Sequence, residues 1–251
     1  MRKSGESAMN KAKIDNLLKL VDSFSSRHHK HEILSDCFEI WAICISQLVD
    51  KPQYAEREQR YLDIVKKYDK HDLDIISQMF GEVWMLLSNM PTDGFDDYLG
   101  QLYMLSGTGS DKAGQFFTPY SVSKMSAEVT LKGSDNLKND IITIYEPACG
   151  SGGMILATMD TLQNDCGINY TEHAFVVAGD IDSRCVHMCY VQLSLAGVPA
   201  IIEQRNALTM ELIGGVWKTP AYLFQYMRFR NVLKDTVHEK SLFGGKNDEN
   251  S

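Results

Sequence analysis

The stretch Tyr145-Glu146-Pro147-Ala148-Cys149-Gly150-Ser151-Gly152-Gly153 decides how this chain folds. Just upstream, Ile141, Ile142, Ile144 and Tyr145 form a short β-branched and aromatic run that reads as a strand. Just downstream the pattern becomes helical through about Asn164. Glycine at 150, 152 and 153 lets the backbone approach a ligand closely, and the opening helix offers free N–H groups. A dinucleotide site would want G-x-G-x-x-G; Gly150 and Gly152 fit it, but the third position is Ile155.

Working outward, Ala174-Phe175-Val176-Val177-Ala178 reads as a second buried strand and Ala200-Ile201-Ile202 as a third. Between them, residues 183–196 read as a helix with Val186, Cys189, Tyr190 and Leu193 on one face. Strand, helix, strand, helix, strand predicts an α/β fold with a parallel sheet and right-handed crossovers. Gly214-Gly215-Val216-Trp217-Lys218 is a poor strand candidate. A last helix is expected from about Ala221 to Val237.

Before residue 107 only helices are expected, with the first ten polar residues frayed. Helical spacing links Ile33 to Val49, then Tyr54, Tyr61, Leu62, Val65 and Tyr68, then Ile75 to Leu87. A fourth stripe, Phe95, Leu99, Leu102 and Tyr103, has Thr92 or Asp93 as its expected cap. The expected organisation is an all-helical domain over 1–106 and an α/β domain over 107–251 with a short basic tail.

The chain has 251 residues and a net charge of −8, and 44% of its residues are apolar, so it should form a core. Residues 1–106 carry 13 basic and 17 acidic side chains, residues 107–217 carry 6 and 12, and residues 218–251 carry 6 and 4. A protein that grips DNA mainly through its own basic surface should look different. No apolar run approaches membrane-spanning length, and the N-terminus has no secretory core. Six cysteines without a C-x-x-C pair suggest reduced thiols in a cytoplasmic protein. His28, His29 and His31 with Glu32 read as a solvated helix start, and no metal is expected.

Glu146 to Gly153 resembles the first motif of S-adenosylmethionine-dependent adenine-N6 DNA methyltransferases. It looks most like the modification subunits of type I restriction–modification systems, which carry D/E-P-A-C-G-S-G-G. A second match, Gly114-Gln115-Phe116-Phe117-Thr118-Pro119, resembles that family's G-Q-[FY]-[FY]-T-P motif. The resemblance implies a Rossmann-like methyltransferase domain with a short parallel sheet and the cofactor S-adenosylmethionine. It implies that Ala148, Cys149, Gly150, Ser151, Gly152 and Gly153 pass under the methionine part, with Glu146 near its amino group. Gln115, Phe117, Thr118 and Pro119 would close over the cofactor, the Thr118 hydroxyl also capping a helix. Asp180 aligns with the family acid that binds the ribose hydroxyls, Ile181 would lie against the adenine, and Asp182 caps the next helix. Asn206 would accept a hydrogen bond from the adenine amino group through its carbonyl oxygen.

The family's acceptor motif, [N/D]-P-P-[Y/F/W], is absent from the sequence. Its nearest counterpart is Thr219-Pro220-Ala221-Tyr222, where Thr219, Pro220 and Tyr222 would hold and stack the target base; the same string also suits an ordinary helix start. The expected activity is methyl transfer to adenine N6 in DNA; the alternative is a non-catalytic cofactor-binding subunit. In relatives a separate specificity subunit reads DNA, and this acidic chain fits such delegation, as a homo-oligomer or hetero-complex. The basic stretch Arg228 to Lys234 and an open edge at the third strand are the expected docking features.

Overall fold

The computed structural model describes residues 2–25, 27–107, 117–132, 134, 137 and 140–226, with side chains from Lys11 onward. Gln115 and the basic stretch Arg228 to Lys234 lie outside the described residues, as does most of the helix expected after Ala221.

Six helices come first. Helix α1 (Arg2–Asp22) starts at the second residue, where fraying was expected. It is followed by α2 (Lys30–Gln47), α3 (Tyr54–Val65), α4 (Lys70–Ser88), the single turn α5 (Met90–Asp93) and α6 (Tyr98–Leu105). Helix α2 buries the expected stripe, including Ile33, Leu34, Cys37, Phe38 and Trp41. The second expected stripe is only partly buried: Tyr68 is in the core and Tyr61 and Val65 pack against it, but Tyr54 and Leu62 are exposed, and α3 buries Arg57 and Ile64 as well. The cap of α6 is neither Thr92 nor Asp93 but Asp97, whose side chain accepts the Gly100 N–H. Such a cap is worth about 1 kcal/mol.

The second half opens with α7 (Tyr120–Leu131), then strand β1 (Ile142–Glu146), α8 (Gly153–Asp160) and a π turn over Thr161–Asp165. A short α9 (Tyr170–His173) precedes β2 (Ala174–Asp180), α10 (Ser183–Leu195) and β3 (Ala200–Arg205). Strands β1, β2 and β3 lie side by side and parallel, with Ile144 opposite Val176 and Val177 opposite Ile201. The near-continuous apolar sequence of β2, buried along almost its whole length, is what the centre of a sheet covered on both faces requires.

A fourth strand, β4 (Leu212–Lys218), runs antiparallel beside β3. The segment dismissed as a poor strand is therefore one. Its glycines are required by packing: a Cβ on Gly214 would lie 1.9 Å from the Gln204 side chain of β3. The hairpin loop between the two strands holds Met210 at φ 61°, and Arg205 reaches across to its carbonyl. Strand β4 covers the edge of β3, so the third strand is not open as expected. Among the described residues the sheet's two outer edges are β1, where Thr143 and Tyr145 are exposed, and β4.

One apolar cluster runs through both halves, joining Leu34, Phe38 and Trp41 of α2 to Val186, Cys189 and Tyr190 of α10 and Ile202 of β3. A smaller one, Phe175, Val177, Ile201 and Tyr222, lies on the other face of the sheet under α11 (Pro220–Phe224).

Candidate functional site

The C-terminal ends of β1 and β2 meet in one loop cluster. The Cys149 N–H donates to the Gly179 carbonyl at 2.8 Å, and the Gly150 N–H to Asp180 Oδ2 at 2.9 Å. Asp180 Oδ1 accepts the Asp182 N–H at 2.9 Å. Each carboxylate oxygen has two acceptor sites, so Asp180 can hold the loop and still face a ligand. Asp182 caps α10 by accepting the Arg184 N–H at 2.9 Å, as its sequence position suggests. Ile181 stands 59% exposed between these two acids.

The glycines are needed here for space as well as conformation. Gly150 (φ 53°) and Gly152 (φ 98°) sit in the left-handed region. A Cβ on Gly150 would lie 3.1 Å from the Phe117 ring, and one on Gly152 would lie 3.2 Å from Cys189 Sγ. Cys149 is buried, and its hydrogen bond with Cys189 together with burial pushes its thiol well above the ordinary range. It is a packed thiol, not a nucleophile.

These groups open onto a cavity of about 270 Å³, lined also by Phe117, Thr118, Ser123, Met154 and Asp97. The only ionisable oxygen acids or bases lining it are Asp97 and Asp180; no basic side chain does so among the described residues. The Thr118 side chain does not cap α7, whose N-cap is Pro119 without a side-chain bond, so its hydroxyl is left to the cavity. Ser123 is fully buried in the cavity wall with no hydrogen-bond partner for its Oγ.

Sequence reasoning missed Asp97, Ser123 and Gln192. Asp97 is 4% exposed, yet lies beside the glycine loop, accepting a hydrogen bond from the Ser151 hydroxyl. Gln192 of α10 ties the same group together, donating to Asp97 Oδ1 at 2.8 Å and to the Ser151 carbonyl at 2.7 Å. Burial raises the Asp97 carboxyl above the usual range, against the lowering effect of Ser151, Gln192 and the Gly100 N–H. The signal was local: Asp97 directly precedes the apolar run of α6, the position of an N-cap.

Other expected residues are placed differently. Glu146 folds back on its own loop, Oε1 accepting the Ala148 N–H at 3.1 Å, and lines a groove between α7, β1 and α8. Asn206 Oδ1 accepts the Leu208 and Thr209 N–H groups at 2.9 and 3.2 Å, so its carbonyl oxygen shapes the β3–β4 loop and is not available to an adenine. Thr219, Pro220 and Tyr222 are not brought to the cavity. The Thr219 hydroxyl accepts the Ala200 N–H at 2.9 Å and donates to the Val198 carbonyl at 2.8 Å, both at the start of β3, whereas the loop cluster is at the strands' far ends. The separation is the length of the strand, roughly 20 Å. Tyr222 is fully buried against Phe175. The base-stacking role expected for this string is corrected: it is a helix cap and a core ring.

No group of three or more His, Cys, Asp or Glu side chains that could hold a metal occurs among the described residues, and no described helix is long and apolar enough to cross a membrane. Residues 95–214 match the model of the family described as N-6 DNA Methylase. A curated relative, a type I restriction enzyme methylase subunit from Methanocaldococcus jannaschii, is 26% identical over 140 residues; the match covers 54% of this chain and 23% of the relative. Among solved structures, the type I restriction-modification system methyltransferase subunit from Streptococcus thermophilus aligns at a TM-score of 0.43 and 15% identity, over 81% of this chain and 59% of that one. This chain thus spans about a quarter of the length of its curated relative.

Proposed function

We propose, from the N-6 DNA methylase match over residues 95–214, that this chain holds S-adenosylmethionine for methyl transfer to adenine N6 in DNA. The observation that carries the reading is the cavity under the glycine loop, lined by Asp97 and Asp180 and, among the described residues, by no basic side chain. A dinucleotide or other phosphate ligand would want cationic side chains there. A sulfonium nucleoside bearing an ammonium carries net positive charge in its tail and suits two carboxylates.

The orphaned Ser123 hydroxyl and the side-chain-free cradle at Gly150 and Gly152 fit such a ligand. Gly150 to Gly153 would run beneath its methionyl part, with Phe117, Thr118 and Pro119 closing over it. The remaining acceptor sites of Asp180 would take the ribose hydroxyls, and the exposed Ile181 would lie on the adenine ring. When bound, the cofactor supplies a methyl carbon on sulfonium sulfur. That methyl carbon would be open to attack by the adenine amino nitrogen, with sulfur keeping the C–S pair and one N6 proton passing to solvent. What this chain contributes is binding and orientation of the donor, which lowers the barrier by proximity.

The acceptor side is proposed to be shared. The chain is acidic, and the basic stretch is short, so DNA would reach the donor site through a separate specificity subunit or another subunit. The open β1 edge and the groove beside it would be covered in a homo-oligomer or hetero-complex. The isolated chain is therefore expected to bind cofactor and to methylate DNA poorly.

Thermal unfolding with and without S-adenosylmethionine tests the central reading. Ligand at one hundred times its Kd adds about 2.7 kcal/mol, which should raise Tm by roughly 5–10 °C for a chain of this size. No shift with either the cofactor or its demethylated product would remove the reading.

A further inference from the structure

We infer that Asp97 and Ser123 form the receptor for the ammonium group at the amino-acid end of the ligand. The inference rests on the S-adenosylmethionine reading above. Helix α6 delivers Asp97 from the helical half of the chain into the wall of the cavity. Its Oδ1 accepts the Gly100 N–H at 3.0 Å and the Gln192 amide at 2.8 Å, which fills both acceptor sites of that oxygen. Its Oδ2 accepts from Ser151 Oγ alone, which leaves one site.

The carboxylate is also fixed in place by what surrounds it. A Cβ added at Gly100 would lie 2.2 Å from Oδ2, and one at Gly153 2.9 Å, so the group is seated against bare backbone on two sides. Elsewhere in the cavity wall, Ser123 of α7 buries a hydroxyl that finds no partner among the described residues. A buried carboxylate with a vacant acceptor site and a buried unpartnered hydroxyl both cost stability unless a donor arrives. An ammonium brings three N–H donors and a positive charge, and satisfies both groups at once.

Glu146, to which the motif resemblance assigned this task, lines a different groove, between α7, β1 and α8. Among the described residues no basic side chain lines the cavity, and none of them pairs with Asp97 as its counter-ion. The raised carboxyl pKa from burial fits a site that reaches its charged form most easily with a cation present.

The test is calorimetric titration of the whole chain with S-adenosylhomocysteine and with the analogue in which hydrogen replaces the α-ammonium. The intact chain should prefer the ammonium-bearing nucleoside by roughly tenfold to a hundredfold, the worth of a buried charge-assisted hydrogen bond. Asp97→Asn should lose most of that preference while binding the analogue as the intact chain does. Ser123→Ala, a smaller change that keeps the α6 cap, should lose part of it and decides the matter if Asp97→Asn does not fold. Preference unchanged in the folded variants would overturn the inference while leaving the cofactor reading in place. Failure of the intact chain to bind either nucleoside would overturn the cofactor reading, and this inference with it.

Discussion

The guanidinium of Arg57 on α3 lies 4.0 Å from the centre of the Trp217 ring on β4. It also donates to Asp50 at 3.0 Å and to the Val216 carbonyl at 2.9 Å, and the ion pair is almost fully buried. Arg57→Ala should therefore cost about 3–5 kcal/mol, because it strands the Asp50 charge. Arg57→Lys should recover little, since an ammonium cannot stack on the indole and bond both oxygens in one plane. Urea unfolding of the two variants checks this; a lysine variant as stable as the parent would show that the planar fork is irrelevant.

Asp180→Ala removes the acceptors of both the Gly150 and Asp182 N–H groups. The glycine loop should loosen and the proposed ribose contact disappear, weakening S-adenosylhomocysteine binding by roughly tenfold to a hundredfold. Unchanged affinity in calorimetry would show that the acid serves the loop without touching the ligand.

Tyr222→Ala is expected to behave as a core truncation. The ring is fully buried against Phe175, 5.6 Å between centres, so its loss should cost about 3–5 kcal/mol. In the fraction that remains folded, nucleoside affinity should equal that of the parent. A large loss of affinity at unchanged stability would place this ring in the binding site after all.

His187 on α10 is buried edge-on to Trp217, ring centres 4.9 Å apart, and burial lowers its pKa to about 4. The unfolded chain, with an ordinary histidine, binds more protons between that value and about pH 6.5. Stability is thus fully present at neutral pH and is lost as pH falls through this window, by about 3 kcal/mol at most. Urea midpoints measured from neutrality down to about pH 4.5 should fall less steeply for His187→Gln than for the parent. Parallel slopes would count against a buried neutral imidazole.

What could be read in advance was what is local. Strands β1 to β3 and the loop between Cys149 and Gly153 are written as apolar runs broken by glycines, and a strand-to-helix switch of that kind needs no distant partner to be recognised. The parts that escaped depend on residues far away along the chain. Asp97 is marked locally only as a helix cap, and its place beside the glycine loop comes from Ser151 and Gln192, 54 and 95 positions distant. Arg57, ordinarily a surface residue, is buried because Val216, 159 positions on, supplies a carbonyl for it. Strand β4 was hidden because two glycines that read as a break are in fact clearance, Gly214 for the Gln204 side chain and Gly215 for the Trp217 ring. Thr219 illustrates the reverse error: a motif-like string whose chemistry is fully used in joining β3 to α11.

The continuous apolar cluster that joins α2 to α10 has a consequence for how the molecule breathes. Helix α10 starts at the cap supplied by Asp182, next to the loop cluster, and its buried face is shared with α2. Opening either half exposes the other, so amide hydrogens in α2 should exchange with solvent deuterium only through the same large fluctuations that release α10. Occupancy of the glycine loop should then slow deuterium uptake in helices that touch no ligand.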